Sequence, residues 1–198
     1  MFIPRDVISG LVLSGGQGRR MGGTDKGLQP FKGAPMAMHV IMRLEPQVDL
    51  VKINANRNLS AYESLGVSVL PDVIGDFPGP LAGFQAGLEN SEHPYFVTVP
   101  CDSPRLPMDL VEKLSEALIV QDLDLVYAAT MENGELRTHP VFSLMKSSVV
   151  DSLTIFMSGG GRKIDKWFET MKTNHVVFDD VAAFANVNTV EELRALQG

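Results

Sequence analysis

The chain has 198 residues, 44% of them apolar and 21% charged, with a net charge of −7 and one cysteine. That length and apolar fraction suffice for one domain with its own core, and no apolar run approaches the roughly 18 residues of a membrane span. The acidic balance argues against broad nucleic-acid binding, which depends on neutralising phosphates, and the N-terminus MFIPRDVISG lacks a secretory pattern, so a cytoplasmic location is expected.

Short β-rich runs alternate with helical patterns, as in parallel strands joined by crossover helices. A first strand is expected at Val7 to Leu13, followed by a glycine-rich loop. A helix over Pro35 to Val48 comes next, its apolar residues Met38, Ile41, Met42 and Leu44 near helical spacing. A second strand is expected near Val51 to Asn54, then a short helix from about Ser60 with that serine as N-cap, then a third strand at Val67 to Leu70. Pro80 can open a helix running to about Glu89, because proline at the first helical position forfeits no hydrogen bond. The run Tyr95 to Val99 is the cleanest strand; it stops at Pro100 and Cys101 and leaves Asp102 just past its carboxyl end. Further strands are expected at Asp124 to Ala129, around Val141 and at Val176 to Phe178. Thr189 can cap a closing helix from Val190, with Glu192 in the capping-box position. No repeat, low-complexity tract or linker interrupts the chain, so one domain over residues 1–198 is expected, an α/β fold with a mostly parallel central sheet.

The strongest chemical signal is LSGGQGRRMGGTDKGL, Leu13 to Leu28, directly after the first strand. Its density of glycine leaves backbone N–H groups open to close approach by phosphate oxygens, and Arg19, Arg20 and Lys26 add positive charge. The Walker A pattern fails because Lys26 is followed by Gly27. The dinucleotide fingerprint fails because Met21 stands where its third glycine belongs. Asp102, at a strand end, is a candidate ligand for Mg²⁺, a hard cation that shares its shell with water and phosphates; a turn or cap role is the alternative. Cys101 lacks an activating pattern and reads as a small core residue, and the four histidines are too scattered for a metal cluster.

The Leu13–Leu28 loop resembles the signature of the nucleotidyltransferases with a three-layer Rossmann-like fold, Ser14 standing where alanine is common, and RRMGGTDKGL is similar to the loop of the molybdenum cofactor guanylyltransferases. Further matches follow in the family's order: NANR at Asn54 to Arg57, Pro71 and Asp72 followed by PGPLAG at Pro78 to Gly83, PCDSP at Pro100 to Pro104, and ANVNTVEEL at Ala185 to Leu193, with Val190 in place of proline. RTHP at Arg137 to Pro140 also resembles the family, although His139 can equally be a loop residue. The resemblance implies that Leu13, Ser14, Gly15 and Gly16 meet the nucleotide through their backbone. It assigns the phosphates to Lys26, the guanosine to Asn54 and Asp72, and the metal to Asp102. Asn54 and Asp72 could instead only satisfy turns.

The activity so implied is transfer of GMP from GTP to molybdenum-molybdopterin with release of pyrophosphate. Asp102, Lys26 and Arg20 would offset the repulsion between two anions, with Mg²⁺ as cofactor. Residues of about 1–104 would bind nucleotide and those of about 105–198 the acceptor, with Arg162, Lys163, Asn186 and Asn188 as acceptor candidates. Molybdenum-insertion proteins and molybdoenzyme chaperones are the partners this implies, with no role for nucleic acid or membrane. Two other readings stay open: a cytidylyltransferase for the same pterin or another small phosphorylated acceptor, and a carrier that binds nucleotide or pterin without catalysis.

Overall fold

A computed structural model describes residues 2–14, 25–72, 79–187 and 192. Its centre is a seven-stranded sheet in the order β5-β4-β1-β6-β8-β7-β9. The strands are β1 (Ile8–Leu13), β4 (Leu50–Asn54), β5 (Ser68–Leu70), β6 (Tyr95–Pro100), β7 (Leu125–Glu132), β8 (Glu135–Lys146) and β9 (Thr173–Phe178). A two-residue ribbon of β2 (Pro30–Phe31) and β3 (Ala34–Pro35) stands apart from it. Every pairing in the large sheet is parallel except the two made by β8, which runs antiparallel to β6 and β7.

Helices cover both faces. One apolar cluster joins the sheet to α1 (Met36–Leu44), to Tyr62 of α2 (Leu59–Glu63) and to α4 (Leu110–Val120). The other joins it to α3 (Pro80–Glu89), α5 (Val150–Ser158) and α6 (Ile164–Phe168). All six residues of β1 are buried, as a central parallel strand covered twice requires. Trp167 is fully buried, its ring edge-on to Phe84 of α3 with centroids 6.0 Å apart.

The expected strands and the Pro80 helix are present, with boundaries moved by a few residues. Two expectations are corrected. The first long helix ends at Leu44, where Glu45, Pro46 and Gln47 tighten into a 3-10 turn; Met42 faces outward, 58% exposed, while Val40 and Ile41 face in. The short helix α2 begins at Leu59, so Ser60 lies inside it, and the cap position belongs to Asn58 with φ 52°. The strand expected around Val141 is present as the second half of a long β-hairpin with β7, and His139 lies in that strand rather than in a loop. The hairpin turns on Asn133 and Gly134, at φ 52° and 84°, the positive pair a tight two-residue turn requires. The closing helix expected from Val190, with its Thr189 cap, falls outside the described residues. Among the described residues no helix is long and apolar enough to cross a membrane.

Helix α3 lies so close to the sheet that two of its positions, one turn apart, admit no side chain. A Cβ at Gly87 would fall 2.4 Å from Phe96 Cζ and 2.7 Å from Leu11 Cδ2, and one at Gly83 would fall 2.4 Å from Leu13 Cδ2 and 2.5 Å from Asn54 Oδ1. We predict that Gly87→Ala, which over-packs this seam away from the carboxyl ends of β1 and β6, destabilises the fold by about 1–3 kcal/mol. Denaturant titration checks this, and a midpoint equal to the wild type's would show that the seam is looser than described.

Candidate active site

The chain passes from β1 to β4 and β5 on one side and then crosses back to β6 on the other. The carboxyl ends of β1 and β6 therefore flank a switch point, the place where ligands enter an open α/β sheet. Leu13 and Pro100 stand in register there. The rim continues outward through two backbone hydrogen bonds: Cys101 N–H donates to Leu13 O at 3.0 Å and Ser14 N–H donates to Asn54 O at 2.8 Å. Leu13, Ser14, Asn54 and Asp102 thus share one edge.

Lys26 joins them from the far end of the glycine-rich segment, its Nζ 3.3 Å from Asp102 Oδ2. The Asp102 side chain is only 14% exposed. Burial raises its carboxyl above the usual carboxylate range, and the Lys26 ammonium, with a backbone hydrogen bond, offsets only part of that penalty. Among the described residues, the Lys26 charge does not fully offset the burial of this carboxylate. No group of three or more His, Cys, Asp or Glu among the described residues could hold a metal ion alone. One carboxylate on a ligand-entry rim fits a cation of the Mg²⁺ type, which takes one or two carboxylates and completes its shell with water and phosphate oxygens.

On the β4 side, Asn54 is buried and donates from Nδ2 to Leu70 O at 3.0 Å and to Asp72 Oδ1 at 2.8 Å. Asn56 donates to Asp72 Oδ2 at 2.7 Å and accepts from the Asp72 N–H at 2.8 Å. Two asparagines thereby orient the Asp72 carboxylate, whose oxygens retain lone pairs for further donors. Asn56 lies inside the NANR motif but carries no local mark that separates it from a turn residue.

Beneath Lys26 runs a second polar chain that no sequence pattern announces. The Tyr62 hydroxyl is hydrogen-bonded to Ser14 Oγ and to Asp25 Oδ1, and Asn58 Nδ2 donates to Asp25 Oδ2 at 3.1 Å. The Cys101 thiol is buried beside it and pushed up to about 12, by burial first and then by the Asp102 charge, so it stays protonated and unreactive.

Asn186 also reaches this neighbourhood. Ser103 Oγ donates to Asn186 Oδ1 at 2.9 Å, and Val187 N–H donates to Asp102 O at 3.0 Å. Arg162 and Lys163 lie in the turn between α5 and α6, where Arg162 Nη1 donates to Met157 O at 3.0 Å and Gly161 O at 2.6 Å. His139 stacks on Phe184 with ring centroids 4.9 Å apart and is hydrogen-bonded through Nε2 to Thr130 Oγ1 at 2.8 Å. Gly15, Gly16, Arg19, Arg20 and Asn188 lie outside the described residues.

This strand order, with one antiparallel strand in an otherwise parallel sheet and helices on both faces, is the Rossmann-like architecture of the nucleotidyltransferase class. A family described as the MobA-like NTP transferase domain matches residues 10–175. The chain is 58% identical to a molybdenum cofactor guanylyltransferase of Cupriavidus necator, covering 98% of each protein. It is 56% identical to one of Bordetella petrii, covering 98% of this chain and 100% of that one. The crystal structure of molybdopterin-guanine dinucleotide biosynthesis protein A from Archaeoglobus fulgidus superposes with a TM-score of 0.76 at 21% identity, over 96% of each chain. The chain belongs to the family of MobA-like NTP transferases.

The buried charge has a measurable consequence. The raised Asp102 carboxyl means that ionisation costs more in the folded than in the unfolded chain, so its contribution to stability is full below the ordinary value of 3.8 and is lost as pH rises. In metal-free buffer at pH 7, Asp102→Asn is therefore expected to melt at or above the wild-type temperature, with the gap closing on acidification. A lower melting temperature at pH 7 would mean that Lys26 more than compensates the burial.

Proposed function

We propose that this chain transfers the GMP moiety of GTP to molybdenum-molybdopterin, forming the guanine dinucleotide form of the cofactor and releasing pyrophosphate. The observation that carries the reading is the meeting of Lys26 with Asp102 at the switch point, 3.3 Å apart. The names of the relatives point to the same chemistry. An oxygen of the acceptor's terminal phosphate attacks the α-phosphorus of GTP, and the bond from that phosphorus to the α–β bridging oxygen breaks. The bridging oxygen leaves with its electron pair as part of pyrophosphate.

Both reactants are anions, so the residues act mainly by position and charge. Lys26, whose ammonium carries three donors on a flexible stem, gives phosphate oxygens the charge that Asp102 now receives. Arg20 is assigned beside it on the phosphates. Leu13, Ser14, Gly15 and Gly16 take base and ribose through their backbone. Asn54 and Asp72 take the guanosine; a carboxylate accepting from the N1–H and N2–H₂ edge of guanine supplies a physical basis for base choice. Asp102 would hold Mg²⁺, which when bound neutralises charge on phosphate oxygens. Arg162, Lys163, Asn186 and Asn188 are assigned to the acceptor, and Asn186 has the most direct support because Ser103 holds it beside Asp102. We assign the whole chain to one domain of the cytoplasm, with molybdenum-insertion proteins and molybdoenzyme chaperones as partners.

The test is pyrophosphate release with Mg²⁺, GTP and molybdenum-molybdopterin. The wild type is expected to turn over with GTP in preference to CTP. Asp102→Ala should lose activity by about a hundredfold or more while keeping its circular dichroism, since a metal site contributes several kilocalories to such a barrier. Lys26→Ala should raise the KM for GTP. Preference for CTP would support the cytidylyl reading, binding without turnover would support a carrier, and wild-type rates in Asp102→Ala would remove the metal role.

A further inference from the structure

Ser14, next after β1, and Asp25, next before Lys26, both end on one hydroxyl. Tyr62 of α2 is fully buried, and burial above all keeps its phenol protonated across the working pH range. Its single proton goes to the Asp25 carboxylate, so Ser14 donates to the phenol oxygen in turn. Asn58, which precedes α2 in a left-handed conformation, holds the second Asp25 oxygen.

The backbone from Asp25 to Gly27 crosses directly over this chain. A Cβ at Gly27 would lie 2.5 Å from the Tyr62 hydroxyl and 2.9 Å from Ser14 Oγ, so only glycine lets the main chain pass there. Lys26 is the residue between. Its carbonyl accepts from Gln29 N–H at 3.0 Å, and Gly27 O accepts from Ala37 N–H at 2.9 Å, so the main chain is held on both sides of the lysine.

We propose that Tyr62 is a positioning residue for nucleotide binding: through Asp25 and Ser14 it fixes the backbone from which Lys26 reaches the triphosphate. The proposal rests on the reading above that Lys26 holds phosphates. It makes α2, which supplies none of the rim residues, a determinant of GTP affinity.

Tyr62→Phe keeps the ring and removes only the shared hydroxyl. Calorimetric titration with Mg²⁺ and GTP is expected to show binding weakened about tenfold, since small displacements of a binding group carry costs of that order or larger. The same substitution made in Lys26→Ala should change GTP affinity by less than about twofold, because residues acting through one contact are not additive. A general loosening of the fold would instead cost the same factor in both backgrounds, and that result overturns the proposal, as does unchanged affinity in Tyr62→Phe. Asn58→Gly preserves the left-handed conformation and removes one Asp25 donor. It serves if Tyr62→Phe does not fold, with a smaller loss expected in the same direction and no loss counting against the proposal. Failure of the wild type to bind GTP overturns the underlying reading and this inference together, whereas a wild type that binds and a variant that matches it overturn this inference alone.

Discussion

Asp102 is held where its charge is costly. A carboxylate drawn into a protein loses hydration that one partly buried ammonium does not restore, and an apolar side chain of similar size would pack there without that penalty. The surrounding structure is arranged to tolerate this group. The strand that carries it lies at the sheet's centre, next to the fully buried β1, so its carboxyl end cannot drift. The loop beyond is tied back by Cys101 N–H to Leu13 and by Asp102 O to Val187 N–H. A cation brought near such a carboxylate lowers the cost of its charge.

Close approach is the second constraint, and glycine permits it in two separate places. Gly83 and Gly87 bring α3 down onto β1 and β6 until the helix backbone touches Leu13, Asn54 and Phe96. Gly27 lets the lysine-bearing turn lie on the Tyr62 hydroxyl. In the first place a helix presses on the residues of the rim; in the second the main chain of Lys26 is pressed onto a polar cluster. Close contacts on both sides leave little freedom in the backbone on which Lys26 and Asp102 stand, which is the kind of preorganisation that electrostatic catalysis requires.

Local punctuation made much of this legible. Pro80 marked the start of α3, Pro100 the end of β6, and the alternation of strands and helices marked the parallel sheet, because each signal acts within a few residues of its effect. The family resemblance of the loops led to Lys26 and Asp102 before any geometry was known. The Asn133-Gly134 turn was equally local and would have revealed the long hairpin, yet the reading stopped at a strand around Val141. Tyr62 was not legible. Its ring sits in a short helix and reads as ordinary core, and its role depends on Ser14 and Asp25, 48 and 37 positions away. Ser60 was misjudged because a favourable capping residue lost to Asn58, whose left-handed backbone sets where α2 begins and also delivers its amide to Asp25.

The late part of the chain completes the same arrangement. The family match ends at residue 175, yet Val187 is fully buried against Phe31 and Met36, and its N–H bonds the Asp102 carbonyl. Met36 N–H donates to Gln29 O, and Gln29 Nε2 donates to Asp25 O at 3.2 Å, so a continuous path runs from the Asp102 loop through Val187 and the β2–β3 ribbon to the segment that carries Lys26. Tyr62 ties that segment to Ser14, whose N–H bonds the Asn54 carbonyl at the end of β4. The backbone of Lys26 is thus held from two directions. The side chain can then exchange one anionic partner for another while the backbone beneath it stays in place.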